Sequence, residues 1–339
     1  MSTRHRVFFA NKGHSIVVAY RQFRNSDPPQ LVRLWNASGL GRGAAQGLSC
    51  DDFDEAVIAQ TYFDPAGLIV AVTDDQQVVG FVHTGFAADD TRSRLSKRTG
   101  VICAVIVAET HRRRGIGREL IRLAEAYLRS AGAENLYAGG ANPRDPFYLG
   151  LYGGSESAGF LESDPAAHPF LIAQGYTPFE RHLVFQRELG PRGPEIVSVR
   201  LLNAKRQAKL AEATACEPTD WWWSTHQGRL GSMQLGLTPK VGGALIAQVC
   251  VVGLDFYAKG WQVRAIGITK LQVIESQRRK GFGQLLLDEV CRRVRNEMIQ
   301  LAEAHVRETD VAGIAVLKSA GFQQMDAGVV YLKTSPVVG

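Results

Sequence analysis

Two short glycine-rich segments carry the strongest chemical signal in this chain. Residues 112–117 have the sequence RRRGIG, and residues 278–283 have the sequence RRKGFG. Glycine lets the backbone approach a ligand closely, and the first amides of a helix have no intrahelical acceptor. Because Arg and Lys add positive charge beside these amides, each segment predicts an anion site that would suit a diphosphate.

The same local elements surround both segments. Residues 101–107 and 266–273 are apolar and β-branched, which predicts a strand before each glycine pair. An amphipathic segment follows each glycine pair. When the first segment is shifted by 166 positions (281 minus 115), its apolar residues align with those of the second. The aligned residues are Ile116, Leu120, Ala124 and Leu128 with Phe282, Leu286, Val290 and Val294. Their spacing predicts two amphipathic helices that each pack one apolar face on a sheet.

Three further elements follow in each half. They are a strand, a short helix and a final strand, predicted at 135–139, 164–175 and 177–186 and again at 300–306, 310–321 and 328–333. Asp164 and Asp310 are the predicted N-caps of the two short helices. The sequence therefore predicts an α/β fold of the mixed-sheet, α+β kind, with two tandem domains that each have a central sheet flanked by helices.

A Gly- and Pro-rich stretch at 188–195 separates the two halves, so we predict domains at residues 1–190 and 195–339. We call each glycine-rich turn a cradle, and the short helix after it the closing helix, which ends at a closing glycine. From the first glycine of the cradle to the closing glycine there are 60 residues in the first half (175 minus 115) and 40 in the second (321 minus 281). The difference predicts an inserted loop at 141–163. This loop is either a wall of an acceptor pocket, or a surface elaboration or domain-packing segment.

Bulk composition narrows the classes of protein. The 339 residues are 45% apolar and carry a net charge of +6, and the five cysteines are scattered without a metal-binding spacing. We expect a cytoplasmic protein with no metal, no membrane segment and no nucleic-acid partner. The apolar run at 7–10 is too short for a signal-peptide core. Cys103 is expected to be a small core residue.

The arrangement resembles the GCN5-related N-acetyltransferase (GNAT) superfamily, whose motif Gln/Arg-x-x-Gly-x-Gly/Ala binds acetyl-CoA. The residues that fit the motif are Arg112, Gly115, Gly117, Arg278, Gly281 and Gly283. A dinucleotide fold would need a third glycine, where this chain has Leu120 and Leu286. Leu171 and Leu317 stand where many family members have a tyrosine that protonates the leaving thiolate.

The resemblance implies an N-acetyltransferase that transfers an acetyl group from acetyl-CoA to a primary amine of a small molecule by direct attack. It implies cofactor contacts at Val105, Val107, Arg112, Arg113, Arg114, Gly115, Ile116, Gly117 and Arg118. In the second half the corresponding contacts are Leu271, Val273, Arg278, Arg279, Lys280, Gly281, Phe282, Gly283 and Gln284. A CoA-binding scaffold without transferase activity and a protein or peptide acetyltransferase are the alternatives. A monomer and a homodimer both stay open.

Catalytic residues are less well defined. The resemblance implies oxyanion contacts from the backbone at Val107 and Val273, and His305 is a candidate general base, with a structural histidine as the alternative. The acidic run at 51–55 either attracts a cationic amine or forms a solvated helix face. At least one indole of residues 221–223 is expected to pack between the domains or to line a pocket.

Overall fold

A computed structural model describes residues 5–9, 16–190, 198–212, 221–226 and 231–334. The strands described in the first half are His5–Phe9 (β1), Ile16–Gln22 (β2), Leu68–Val72 (β3), Val78–Ala88 (β4), Leu95–Val107 (β5), Asn135–Ala138 (β6), Phe160–Leu161 (β7) and Thr177–Glu188 (β8). The α-helices described there are Pro28–Ala37 (α1), Cys50–Phe53 (α2), Ile116–Ser130 (α3) and Ala167–Ala173 (α4). A π-helical turn at Asp54–Ile58 continues α2.

The second half repeats the later part of this order, from its central strand onward. Its described strands are Ala208–Glu212 (β9), Ser232–Pro239 (β10), Ala247–Gly253 (β11), Ala265–Val273 (β12), Leu301–Arg307 (β13) and Gln323–Thr334 (β14). Its described α-helices are Val199–Gln207 (α5), Trp221–His226 (α6), Ala258–Trp261 (α7), Phe282–Asn296 (α8) and Val311–Ser319 (α9). The predicted order of strand, glycine turn, helix and strand is confirmed in both halves. No helix in the described ranges has the length and apolar character needed to cross a bilayer.

In each half, the central strand separates from its parallel neighbour before the glycine turn. Strand β5 pairs with β6 up to Ile102, and β12 pairs with β13 up to Ile268. Beyond these residues β5 continues to pair with β4, and β12 with β11. Each half therefore has a cleft between two diverging strands, next to its glycine turn.

The two final strands are exchanged between the halves. Strand β14 lies between β6 and β8, and β8 pairs with β13, so that one sheet runs through both halves. Tyr331 of β14 packs in the core beneath α3, whereas Phe185 of β8 packs in the core beneath α8. The sequence predicts two separate sheets instead. The two final strands have similar hydrophobic patterns, so that either strand can pair beside β6 or beside β13. The domain limits at 190 and 195 stay a prediction, since residues 191–197 lie outside the described residues.

The two closing helices begin differently. The Asp310 carboxylate accepts a hydrogen bond from the Gly313 amide at 2.9 Å, which confirms the predicted N-cap of α9. The corresponding prediction for Asp164 is wrong, because α4 begins only at Ala167. A helix starting at residue 165 would need an amide donor at Pro169, and proline has none.

A histidine is fully buried in the first half. His83 on β4 stacks near the Phe147 ring with 4.2 Å between centroids, and its Nδ1 lies 3.1 Å from the Tyr148 hydroxyl. Burial lowers the pKa of His83 to about 3, since the charged imidazolium loses its hydration there. The ring is therefore neutral in the folded protein near pH 7.

This burial predicts a pH-dependent stability. Below about pH 6.5 the unfolded chain binds a proton at His83 and the folded chain does not, so stability falls as the pH drops towards 3. Between pH 6.5 and 4.5, urea unfolding should show that the wild type loses about 2 kcal/mol more stability than His83→Gln, which cannot titrate. Parallel pH dependences in the two proteins would show that the ring is not held neutral.

Candidate functional site

The two glycine turns have the same backbone conformation. Arg113 and Arg279 have φ of +62° and +60°, and Gly115 and Gly281 have φ of +81° and +92°. In each turn, residues with a left-handed backbone conformation alternate with residues that have negative φ. Successive backbone N–H groups therefore point to the same side and form an anion-binding nest. Among the described residues, the backbone amides at 113–117 and 279–283 have no backbone acceptor. Both turns therefore fit a diphosphate.

The second glycine of each turn lies against the closing helix. A Cβ atom at Gly117 would lie 3.1 Å from the Phe170 ring, and one at Gly283 would lie 2.9 Å from Val316 Cγ2. A Cβ at Gly281 would lie 2.8 Å from the Arg200 carbonyl oxygen on α5. A side chain at any of these three positions would crowd its neighbour, so the close packing favours glycine there.

The first arginine of each motif joins the turn to the end of the central strand. Arg112 Nε donates to the Val107 carbonyl at 3.1 Å, and Arg278 Nε donates to the Val273 carbonyl at the same distance. Arg112 also donates to the Ser38 carbonyl at 2.8 Å. These side chains therefore fix each turn relative to the strand that would bind the pantetheine arm.

Most of the predicted cofactor residues line two cavities. The first cavity, about 520 Å³, is lined by Val105, Val107, Arg112, Arg113, Gly115, Ile116, Gly117 and Arg118, together with residues of α4. The second, about 1580 Å³, is lined by Leu271, Val273, Arg278, Arg279, Gly281, Gly283 and Gln284, together with residues of α9. The structure therefore brings each predicted group together around its own turn.

Three predicted residues do not line these cavities. The Phe282 side chain lies in the core, so that this residue can offer only its backbone amide. Lys280 Nζ donates to Gln277 at 3.1 Å, and Arg114 lies beside His111, whose pKa is lowered by burial and by the Arg114 charge. Any contact of these three side chains with a cofactor stays a prediction.

The cleft faces differ between the halves. Ile106 on β5 is only 5% exposed, because Phe147, Tyr148 and Leu151 of the inserted loop pack in the same cluster. Its counterpart 166 positions later is Gln272, which is exposed. Gln272 belongs to a ladder in which Gln234 donates to Gln248 and Gln248 donates to Gln272, each at 3.0 Å. The second half therefore has an open polar face where the first half is covered.

The inserted loop also contacts the second half. The Gly154 amide donates to the Tyr257 hydroxyl at 2.9 Å, and the Ser155 amide donates to the Glu303 carboxylate at 2.9 Å. Of the two interpretations offered by the sequence, the contacts support the domain-packing segment. The rings of Trp221 and Trp222 pack on Tyr62 of the first half, as expected for indoles between the halves, and the Trp223 side chain lies outside the described residues.

His305 is the first residue of β13 beyond the parallel pairing with β12. Its side chain is 2% exposed, and its Nε2 lies 3.2 Å from a Glu303 oxygen. No residue in the described ranges bonds its Nδ1. A buried imidazole with one nitrogen held and the other unbonded is arranged to accept a proton.

Sequence reasoning missed two acidic residues near His305. Burial raises the pKa of Glu303, but hydrogen bonds from His305, Gln186 and the Ser155 amide outweigh it and hold the pKa below its usual range. Burial raises the pKa of Glu156 to about 7, although the nearby His305 and Lys270 charges lower it. Glu303 and His305 alternate with apolar residues along a buried strand. This alternation is the signal that could have revealed Glu303 as the partner of His305.

The other candidate residues lie elsewhere. Asp52 forms a capping box with Ser49, and Asp52, Glu55 and Asp255 line a separate cavity of about 260 Å³ between the halves. Burial and the Asp145 charge raise the pKa of the Cys103 thiol well above its usual value, so the thiol is a poor nucleophile. In the described ranges, no His, Cys, Asp and Glu side chains cluster as ligands for a metal ion.

Family models match both glycine turns. Residues 37–152 match the acetyltransferase (GNAT) family, and residues 258–330 match the FR47-like protein family. The chain therefore has a GNAT domain in its first half and an FR47-like domain in its second. The mixed sheet and the flanking helices agree with the fold class that the sequence predicts.

Known proteins resemble this chain in sequence or in fold. A mycothiol acetyltransferase of Propionibacterium freudenreichii is 31% identical over 151 residues, which cover 43% of this chain and 46% of that protein, less than half of its length. A tandem GNAT protein from the clavulanic acid biosynthesis pathway has a TM-score of 0.63 at 17% identity, over 94% of this chain and 99% of that one. A GNAT from Sphaerobacter thermophilus has a TM-score of 0.61 at 14% identity, over 94% and 95%. These two structures share the fold.

Proposed function

We propose that this GNAT protein is an N-acetyltransferase that transfers the acetyl group of acetyl-CoA to a primary amine of a small molecule. The observation that carries the proposal is that the second glycine turn adjoins an open polar cleft face, where Gln272 is exposed. The covered position of Ile106 supports turnover in the second half and CoA binding without turnover in the first.

The chain supplies binding groups and one proton acceptor. Backbone amides at 279–283 would bind the diphosphate, and the edge of β12 at Leu271 and Val273 would bind the pantetheine arm. Acetyl-CoA supplies the activated acetyl group. We assign His305 as the proton acceptor for the amine, and the Val273 amide would stabilise developing negative charge on the carbonyl oxygen.

The missing tyrosine is compatible with this chemistry. Leu317 is buried in the core of the second half and offers no proton to the leaving group. A thiol has a pKa near 8.5, so that a thiolate leaves readily without a dedicated acid. The Ser155 amide of the inserted loop donates to Glu303, two residues before His305 on β13, and a loop this near the proposed base favours a small acceptor over an extended peptide.

Release of free thiol from acetyl-CoA with a panel of amines tests this function. The panel includes small diamines, amino sugars, a mycothiol-type amine because of the named relative, and a peptide with a free N-terminus. We expect release with at least one small amine. Cofactor binding without release across the panel would favour the scaffold, and release with the peptide alone would favour a peptide acetyltransferase.

The isosteric variant His305→Gln is expected to lower kcat by about a hundredfold or more, since a positioned general base contributes 10²–10⁴-fold. Affinity for CoA should stay within about twofold, because His305 does not line the second cavity. The matched control is His168→Gln, which changes a histidine of α4 that bonds the Tyr331 hydroxyl. A kcat within threefold of the wild type in His305→Gln would exclude this residue as the base.

A further inference from the structure

Glu303 lies in the interior of the protein with both carboxylate oxygens engaged. Its side chain is 1% exposed. Oε1 accepts from the Ser155 amide at 2.9 Å and lies 3.2 Å from His305 Nε2, and Oε2 accepts from Gln186 Nε2 at 2.6 Å. A carboxylate that is buried and surrounded by donors is held in one orientation and stays ionised.

Two of these three donors belong to the first half of the chain. Ser155 lies in the inserted loop, and Gln186 lies on β8, the strand exchanged into the sheet of the second half. The loop also covers the cleft face of the first half through Phe147 and Tyr148. One segment therefore covers the first cleft and donates to the acidic partner of His305 in the second.

We propose that Glu303 is a positioning residue, which holds the His305 ring with Nε2 protonated and Nδ1 free, and that Ser155 and Gln186 complete this site from the first half. The inference rests on the proposed function, since it assigns His305 as the base. The titratable groups that face His305 are Glu303 on its own strand, Glu156 in the inserted loop and His182 on β8. Of these, Glu303 is hydrogen-bonded to the ring.

The test is nitrogen NMR of the His305 ring at one fixed pH in the full-length wild type and in Glu303→Gln, without any substrate. Removing the carboxylate should abolish the preference of the neutral ring for the Nε2–H tautomer. In a separate assay, kcat should fall by at least about tenfold.

Glu303→Asp keeps the charge and moves it away from the ring, so that its fraction of the Nε2–H tautomer and its kcat should lie between those of the wild type and Glu303→Gln. This ordering also tests the proposal if Glu303→Gln does not fold. Glu308→Gln is the matched control, because the same change falls on an exposed carboxylate that pairs with Arg181. We expect it to leave His305 unchanged.

The two proposals fail in different ways. If the Glu303 variants change the His305 tautomer but the wild type acetylates no amine, the proposed function alone is overturned. Equal tautomer fractions in the wild type and in a folded Glu303 variant would overturn the positioning role, even where thiol release is normal. A loss of stability without a change in the tautomer would assign Glu303 a purely structural role and also contradict the inference.

Discussion

Replacing Gly283 by tryptophan is expected to lower turnover by more than a hundredfold, whereas the same change at Gly117 leaves turnover within about threefold. An added side chain at Gly283 begins 2.9 Å from Val316 and grows into the second cradle, which the proposed reaction uses. At Gly117 it begins 3.1 Å from the Phe170 ring in the first cradle. Such overpacking both strains the packing and occupies the binding space.

Calorimetry with CoA separates binding from turnover in the same variants. We expect two sites per chain in the wild type and one in each variant, because each turn has its own set of free amides. Gly190→Trp is the control, since a Cβ at this position has no neighbour within 4 Å and the backbone there does not need glycine. Loss of both sites in either variant would contradict independent cradles, and a loss of turnover in Gly117→Trp would contradict the assignment of the working half.

The glycine turns could be predicted because their determinants are local. A strand, two arginines, two glycines and an amphipathic helix lie within about thirty residues, and backbone conformation follows from residue type over such distances. The same holds for the N-cap at Asp310. Asp164 has the same spacing to its closing glycine, but Pro169 removes the donor that an earlier helix start would require.

The assembly of the halves could not be predicted from one sequence. A strand with one buried face can pair with any edge of matching pattern, so that nothing local distinguishes β8 from β14 as the neighbour of β6. Glu303 has the same difficulty, because its donors Ser155 and Gln186 are 148 and 117 residues away along the chain. Hydrophobic patterning identifies what is buried and leaves open which partner buries it.

The exchange of final strands can be tested with two equivalent residues. Phe185 on β8 and Tyr331 on β14 lie at the same repeat position, 146 residues apart, as do the closing glycines at 175 and 321. Tyr331 packs in the core beneath α3, and Phe185 packs in the core beneath α8. Truncating either buried ring to alanine should cost about 3–5 kcal/mol.

The part of the molecule that loses stability in each alanine variant distinguishes the exchanged arrangement from two separate domains. We expect Tyr331→Ala to speed hydrogen exchange first in α3 and to weaken CoA binding at the first cradle, although residue 331 belongs to the second half of the sequence. Phe185→Ala should instead speed hydrogen exchange first in α8 and weaken CoA binding at the second cradle, and so serves as the reciprocal control. If Tyr331→Ala instead opened α8 while α3 stayed protected, each final strand would have to pair within its own half, and the Gln186 donor to Glu303 would be lost from the proposed site.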